Sequence, residues 1–476
     1  MTAAATNGAR GGRRVVVVGG GLAGMAAAVA LESAGLNVTL LEARRTLGGR
    51  AGSFEDPQTG EELDNCQHVL LGCCTNLLDF YRRIGAADRI RFEPAIHFID
   101  ETGRRQDLFG VRRLPAPLHL GPALLGFGLL SWAERIELSR ATLAMIRLGR
   151  DGRQRLADVP FGTWLDEHGQ SPELVRKLYD TVLIGALNEE TRLASAAYAI
   201  QVFQDSLLAN AAGYPVGIPA CTLSELYRRL PCADVRLGTR VAGLAFSGDR
   251  VTGVRLLSGP VVDADAVVLA TNYHAIDKWL PPEWLARDAR FRSLDRLESV
   301  PILGAHLWFD RPVMAESHAA LLGGALQWIF RKDATGTSLH GVISAARPWV
   351  DRPKDEMLRL FEAQVRAALP KAAGAKLLRG VVVIEKRATF SPTPGVDRHR
   401  PQQAPPPDGL AGLFLAGDYT QTGWPATMEG AVRSGYIAAD AVVRQLTPDA
   451  PAAAGKSFFV DDLPVQWPSR LLGLSG

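Results

Sequence analysis

The sequence predicts an α/β protein in which a domain built on a parallel sheet is interleaved with an α+β domain. Three observations predict it. A four-valine run, 15–18, leads straight into the turn Gly19-Gly20-Gly21-Leu22-Ala23-Gly24. A second apolar strand ends in Gly417-Asp418, almost four hundred residues later, and strand and helix patterns alternate between the two. Such a chain gathers a parallel sheet from distant segments.

The valine run holds no polar residue and reads as a strand buried on both faces. Gly19, Gly21 and Gly24 match G-x-G-x-x-G. The first glycine allows the tight turn, the second lets backbone approach a pyrophosphate, and the third lets helix and strand pack closely. An Ala-rich helix, 25–33, follows and offers its N-terminal amides to phosphate before Gly35 ends it. Residues 37–41 form a second strand, closed by Glu42, whose carboxylate suits the two hydroxyls of an adenosine ribose. Gly19, Gly21, Leu22, Ala23 and Gly24 are thus the expected phosphate-side contacts, with Glu42, Ala43 and Arg44 at the ribose end. A mere packing turn is the competing reading of the glycines alone; the order strand, turn, helix, strand, acid decides against it.

At 476 residues the chain is long for one hydrophobic core, so two domains are expected. Segments 1–75, 215–275 and 405–446 make the nucleotide domain, 76–214 and 276–404 the other, and 447–476 a tail. Hydrophobic content of 47% and charged content of 22% are ordinary for a globular protein, and a net charge of +3 makes no case for nucleic acid. Cys66, Cys73, Cys74, Cys221 and Cys232 lack disulfide spacing and suit a reducing cytoplasm. Adjacent Cys73-Cys74 fit tetrahedral zinc poorly, so no metal site is expected and the thiols read as small buried groups. Arg13-Arg14 before an uncharged run imitates an export signal, but cleavage there would destroy the glycine turn. Residues 1–12 are read as a dispensable arm, with no export.

Downstream, 53–63 has the turn chemistry of a short hairpin, and 77–84 reads as a helix ended by Gly85. Between them Gln67-His68 interrupts an apolar stretch. Two readings stand: a hydrogen-bonded core pair, or active-site material. Residues 114–133 contain no Asp, Glu, Lys or Arg, yet Pro115, Pro117, Pro122, Gly121, Gly126 and Gly128 break any spanning helix. The stretch is either a buried element or an apolar lip that dips into one leaflet. Arg104, Arg105, Arg112, Arg113, Arg135, Arg140, Arg147, Arg150, Arg153 and Arg155 flank it, as a lip on an anionic surface or a solvated face would have it. Helices are expected at 172–179, 195–208, 223–230 and 354–368. Strands are expected at 234–237, 240–246, 251–257, 261–262 and 266–270, then at 302–309, 326–331, 341–345 and 381–388. The last strand ends at Gly417-Asp418, and a helix over 431–446 closes the domain, its N-terminus beside Thr427 and Met428.

The fingerprint, Gly48-Gly49-Arg50 and Gly417-Asp418 resemble the flavin amine oxidase and phytoene desaturase superfamily along nearly the whole chain. That resemblance implies a Rossmann-like FAD-binding domain of amine oxidase/phytoene desaturase type. FAD would be held by Gly49, Arg50, Val241, Gly417, Asp418, Thr427 and Met428 besides the residues above. Two narrower stretches, 64–74 (DNCQHVLLGCC) and 422–435 (TGWPATMEGAVRSG), resemble HpnE-type squalene-associated FAD proteins, the hydroxysqualene dehydroxylases. Cys66 stands where that family has Gly, Tyr419 where Trp is frequent, and Thr46 where amine oxidases often carry Arg. No cysteine lies beyond Cys232, so the FAD is expected to be non-covalent.

The resemblance implies reduction of hydroxysqualene to squalene and water, with an electron donor the sequence does not identify. The cysteine usage implies a cytoplasmic protein, and the lip reading of 114–133, where it holds, a peripheral one at the inner face of the cytoplasmic membrane. His68 is the candidate general acid for the allylic hydroxyl, oriented by Gln67. Competing readings are an oxidative desaturase of a polyene, an amine oxidase with Tyr419 and Trp424 in an aromatic cage, and a prenyl-lipid escort protein without flavin chemistry.

Overall fold

A computed structural model describes residues 12–448 and 457–475. The expected arm at 1–12, except Gly12, and part of the tail therefore lie outside the described residues. Five parallel strands, in the order Asp234–Arg236, Asn37–Leu41, Arg14–Val18, Ala266–Leu269 and Leu413–Leu415, form the first sheet. The valine strand sits at its centre, buried on both faces as an uninterrupted β-branched run requires. Helices Leu22–Ser33 and Met428–Leu446 pack against one another over this sheet. Their approach depends on small residues: a side chain at Gly435 would run into the Ala23 carbonyl. Val241–Ser247, Arg250–Leu256 and Val261–Asp263 make the expected antiparallel meander.

The second sheet has seven strands, in the order Leu377–Phe390, Ser299–Phe309, Ser338–Ile343, Trp328–Arg331, His318–Leu321, Ala95–Ile99 and Arg105–Phe109. Alternation divides its faces. Leu303, Ala305, Leu307, Ile329 and Leu339 pack with Met357, Phe361 and Val365 of helix Lys354–Ala368 on the outer face. The inner face carries a cross-strand row in which His306 pairs with His340, His340 with Phe330, and Phe330 with His318.

Several elements depart from expectation. The helix expected over 172–179 continues through a π turn to Leu187, because 180–187 (DTVLIGAL) has no proline and a single glycine before Asn188, which takes a left-handed φ of 55°. The last helix begins at Met428 rather than 431, one turn early, because Thr427 caps it by accepting the Gly430 N–H at 3.0 Å. The stretch 114–133 becomes two short helical turns, Leu118–Leu120 and Gly121–Leu125, before the long helix Trp132–Gln154. Among the described residues, no helix is long and apolar enough to cross a membrane.

Candidate active site

Gly19 turns with φ 110°, and its N–H donates to the Leu41 carbonyl at 2.8 Å, closing the first strand onto the second. Gly24 packs so tightly on the Gly19 carbonyl that a side chain there would overlap it. The Gly48 N–H donates to Gly20 O at 2.8 Å, so the second glycine loop docks on the first. A Cβ on Gly49 would lie 3.2 Å from Gly21 Cα, whereas one on Gly21 would meet nothing within 4 Å. The two loops thus leave an open cradle in front of the first helix, flanked by Leu22 and Ala23 at its start.

Glu42 is buried, and both carboxylate oxygens already accept backbone hydrogens: Oε2 from Gly20 at 2.6 Å and Oε1 from Arg44 at 2.7 Å. Each oxygen keeps a second lone pair, so ribose hydroxyls can share them. The Thr239 and Gly238 N–H groups donate to the carbonyls of Glu42 and Arg44, both at 2.8 Å, which brings the chain leading into Val241 to this end. Arg44 also reaches the Gly49 carbonyl at 3.2 Å.

The far motif meets the near one directly. Arg50 Nη2 lies 2.6 Å from Asp418 Oδ1, and its Nη1 donates to the Ala388 carbonyl at 2.5 Å. The Gly417 N–H donates to Ser434 Oγ at 2.8 Å, tying the last strand to the helix that starts at Met428. An open backbone cradle, an acid at the ribose end and a capped helix N-terminus beside a buried Asp fit FAD.

Beyond the cradle lies a polar cluster. His68 Nδ1 is 2.9 Å from the Cys66 carbonyl, an acceptor, so Nδ1 carries the hydrogen and neutral His68 presents Nε2 as a lone pair. Burial lowers its pKa, partly offset by that hydrogen bond, and Arg50 and Lys332 push the same way as burial. Gln67 does not orient the ring. Its Nε2 reaches the His68 backbone carbonyl at 3.3 Å, and its Oε1 accepts from Lys332 Nζ at 2.8 Å. Lys332 also donates to the buried Asp64 at 3.0 Å. Asp64 Oδ1 is held by the Leu223 N–H at 2.8 Å and Ser53 Oγ at 2.9 Å.

Lys332, Asp64, His306 and His340 were not among the expected site residues. Asp64 sits inside the quoted 64–74 stretch, and Lys332 follows Trp328 and Phe330 at strand spacing, a lone cation in line with an aromatic face. Those were the available signals.

Around the cluster stand Cys66, Val216, Ile218, Phe330 and Val342, with Ile302 and Trp328 packed on them. Burial pushes the Cys66 thiol up to about 12, so it is inert at neutral pH. No group of three or more potential ligands could hold a metal among the described residues. Tyr419 packs on Tyr273 at 5.4 Å, and the Arg433 guanidinium lies 4.5 Å from the Trp424 ring centre. A cation of the protein's own therefore already covers Trp424, which weighs against the competing reading that makes Tyr419 and Trp424 part of an amine cage.

Residues 22–443 match the model of the flavin-containing amine oxidoreductases. The chain belongs to that family. It is a flavin-dependent oxidoreductase, and FAD is its cofactor. The chain is 31% identical to the hydroxysqualene dehydroxylase of Sinorhizobium fredii over 446 residues, covering 90% of this chain and 98% of that one. It is 26% identical to the 15-cis-phytoene desaturase of Synechococcus elongatus over 460 residues, covering 90% and 96%. Among solved structures, a redesigned putrescine oxidase matches its fold with a TM-score of 0.68 at 17% identity, covering 91% of this chain and 99% of that one.

Proposed function

We propose that this flavoenzyme reduces hydroxysqualene to squalene. The observation that carries the reading is the cluster of His68, Lys332, Asp64 and Gln67 set against an apolar wall. A long polyene needs the wall, but only a substrate with a polar atom needs the cluster. The relative named hydroxysqualene dehydroxylase supports the same choice.

Gly19, Gly21, Leu22, Ala23, Gly24, Gly49 and Arg50 would hold the pyrophosphate side of FAD, and Glu42, Ala43, Arg44 and Val241 the adenosine end. Gly417, Asp418, Thr427 and Met428 would hold the ribityl and flavin side. Bound and reduced, FAD supplies the hydride that replaces the departing oxygen. The chain supplies the proton. An allylic hydroxyl leaves readily only as water, so the C–O bond breaks as a proton reaches the oxygen.

Neutral His68 has no hydrogen on Nε2 to give, so it accepts the substrate's own hydroxyl hydrogen and turns the oxygen lone pairs towards Lys332. Lys332 uses two of its three hydrogens on Asp64 and Gln67 and gives the third. The wall excludes the water that would otherwise trap the cation. Each turnover consumes two electrons, so a separate donor must reduce the enzyme.

A second reading, oxidative desaturation of a hydrocarbon polyene, draws on one observation: the Nε2 lone pair of His68 is also a base. An anaerobic single turnover separates the two. Flavin-reduced protein mixed with hydroxysqualene in detergent should yield one squalene per flavin oxidised. Flavin that stays reduced while hydroxysqualene survives would sink the first reading and favour the second.

The lipid substrate also suits a peripheral position on an anionic membrane. Leu118, Leu125 and Trp132 are exposed, and helix Trp467–Leu471 is fastened beside them where Gln466 Oε1 accepts the Ala116 N–H at 2.6 Å. Some flanking arginines are committed elsewhere. Arg135 clamps the carbonyls of Leu125, Phe127 and Leu130, while Arg150 and Arg153 pair with Asp205. Arg112, Arg113, Arg140 and Arg147 stay exposed for lipid phosphates.

A further inference from the structure

We propose that His340 is the residue that binds the substrate's oxygen and sets the preference for an alcohol over the matching hydrocarbon. The inference rests on the dehydroxylase reading and names a residue it does not use. His340 is fully buried on the inner face of the seven-stranded sheet, and neither ring nitrogen has a hydrogen-bond partner among the described residues. It lies against His306, with ring centres 4.0 Å apart. His306 is already engaged, its Nε2 donating to the Asp64 carbonyl at 3.0 Å. Gly304 makes room for the His340 ring: a Cβ there would lie 2.7 Å from His340 Nε2.

An imidazole with two orphan nitrogens costs stability, because its desolvation is not repaid by any hydrogen bond. An apolar side chain of similar size would fill the same space more favourably. The position therefore makes sense if a ligand completes it. Through His306, which bonds the backbone of Asp64, the partner of Lys332, the ring of His340 stands at the edge of the same cluster. A hydroxyl group has one hydrogen and two lone pairs. His68 Nε2 takes the hydrogen, Lys332 donates to one lone pair, and an N–H of His340 donates to the other. A pure hydrocarbon leaves all three unsatisfied, and sites built to hydrogen-bond a hydroxyl reject analogues that lack it.

The test uses oxidised holoenzyme, which cannot turn over, titrated in detergent with hydroxysqualene and with squalene. Binding is followed by perturbation of the flavin absorbance. Wild type should bind the alcohol more tightly than the hydrocarbon. His340→Leu should lose about tenfold or more of that preference, leave squalene affinity unchanged, and melt at the same or a higher temperature without ligand. His340→Gln, which keeps a donor and an acceptor, should retain part of the preference. An unchanged preference in His340→Leu overturns the assignment. So does a lost preference accompanied by a lower melting temperature, which marks a structural histidine. A wild type that binds both equally overturns the dehydroxylase reading along with it.

Discussion

At Lys332 a single strand residue joins two functions that substitution can separate. Its ammonium neutralises the buried Asp64 and, in the proposed reaction, supplies the proton. Lys332→Met should slow single-turnover flavin reoxidation by about 10²-fold or more. It should also cost about 3 kcal/mol in denaturant unfolding, because Asp64 is left buried and unpaired. Lys332→Arg should recover most of that stability but little of the rate, since a guanidinium does not give up its proton. A Lys332→Met enzyme that reoxidises at the wild-type rate would end the proton-donor assignment. Sequence alone pointed to His68, because a histidine inside an apolar stretch stands out. It could not reveal the tautomer, which a backbone carbonyl fixes, nor a lysine 264 residues away that only the sheet register delivers.

Among the elements, the strands and helix around the glycine turn were the most legible. Their pattern is local, and Gly19 and Gly24 have steric reasons within the fold, while Gly21 faces the open cradle. Gly24→Ala should therefore purify without flavin, read as the ratio of flavin to protein absorbance, because its Cβ would strike the fixed Gly19 carbonyl. A yellow Gly24→Ala protein would show that this turn does not shape the cradle. Strands Ala95–Ile99, Arg105–Phe109 and His318–Leu321 went unrecognised although two of them are hairpin neighbours, because runs of four or five residues show too few alternations to stand out.

The same sheet and its neighbouring loop bury neutral histidines, which gives a pH dependence. Burial lowers His119 and His318 to about 4, against about 6.5 in the unfolded chain. Below pH 6.5 the unfolded chain takes up protons that the folded state refuses, so stability is full above that value and falls as pH drops towards 4. At pH 5 each should cost about 2 kcal/mol. Urea unfolding at pH 7 and pH 5 measures the fall, and His119→Phe should reduce it. An equal fall in that variant would refute the contribution.

Over the whole molecule, the two sheets are bridged by segment 64–68 and by Arg50, which pairs with Asp418 on one side and donates to the Ala388 carbonyl on the other, so the cradle and the apolar wall meet at one place. The long-range pairing of the two glycine motifs was legible because each has its own local signature. The placement of 114–133 was not, since the same apolar residues serve a buried element and an exposed lip alike. The structure divides them: Leu120, Phe127 and Leu130 are buried, while Leu125 and Trp132 are 66% and 68% exposed. If this lip meets lipid, its apolar side chains should supply affinity and the arginines a salt-dependent share. Leu125→Ser with Trp132→Ser should then weaken cosedimentation with phosphatidylglycerol vesicles about tenfold or more, since burying each side chain contributes about 1.5–3 kcal/mol. The fold should be untouched, because neither side chain is in the core. Raising salt should weaken the wild type and the double variant in proportion, as the arginines remain. Equal cosedimentation of both proteins would place the substrate's entry elsewhere on the molecule.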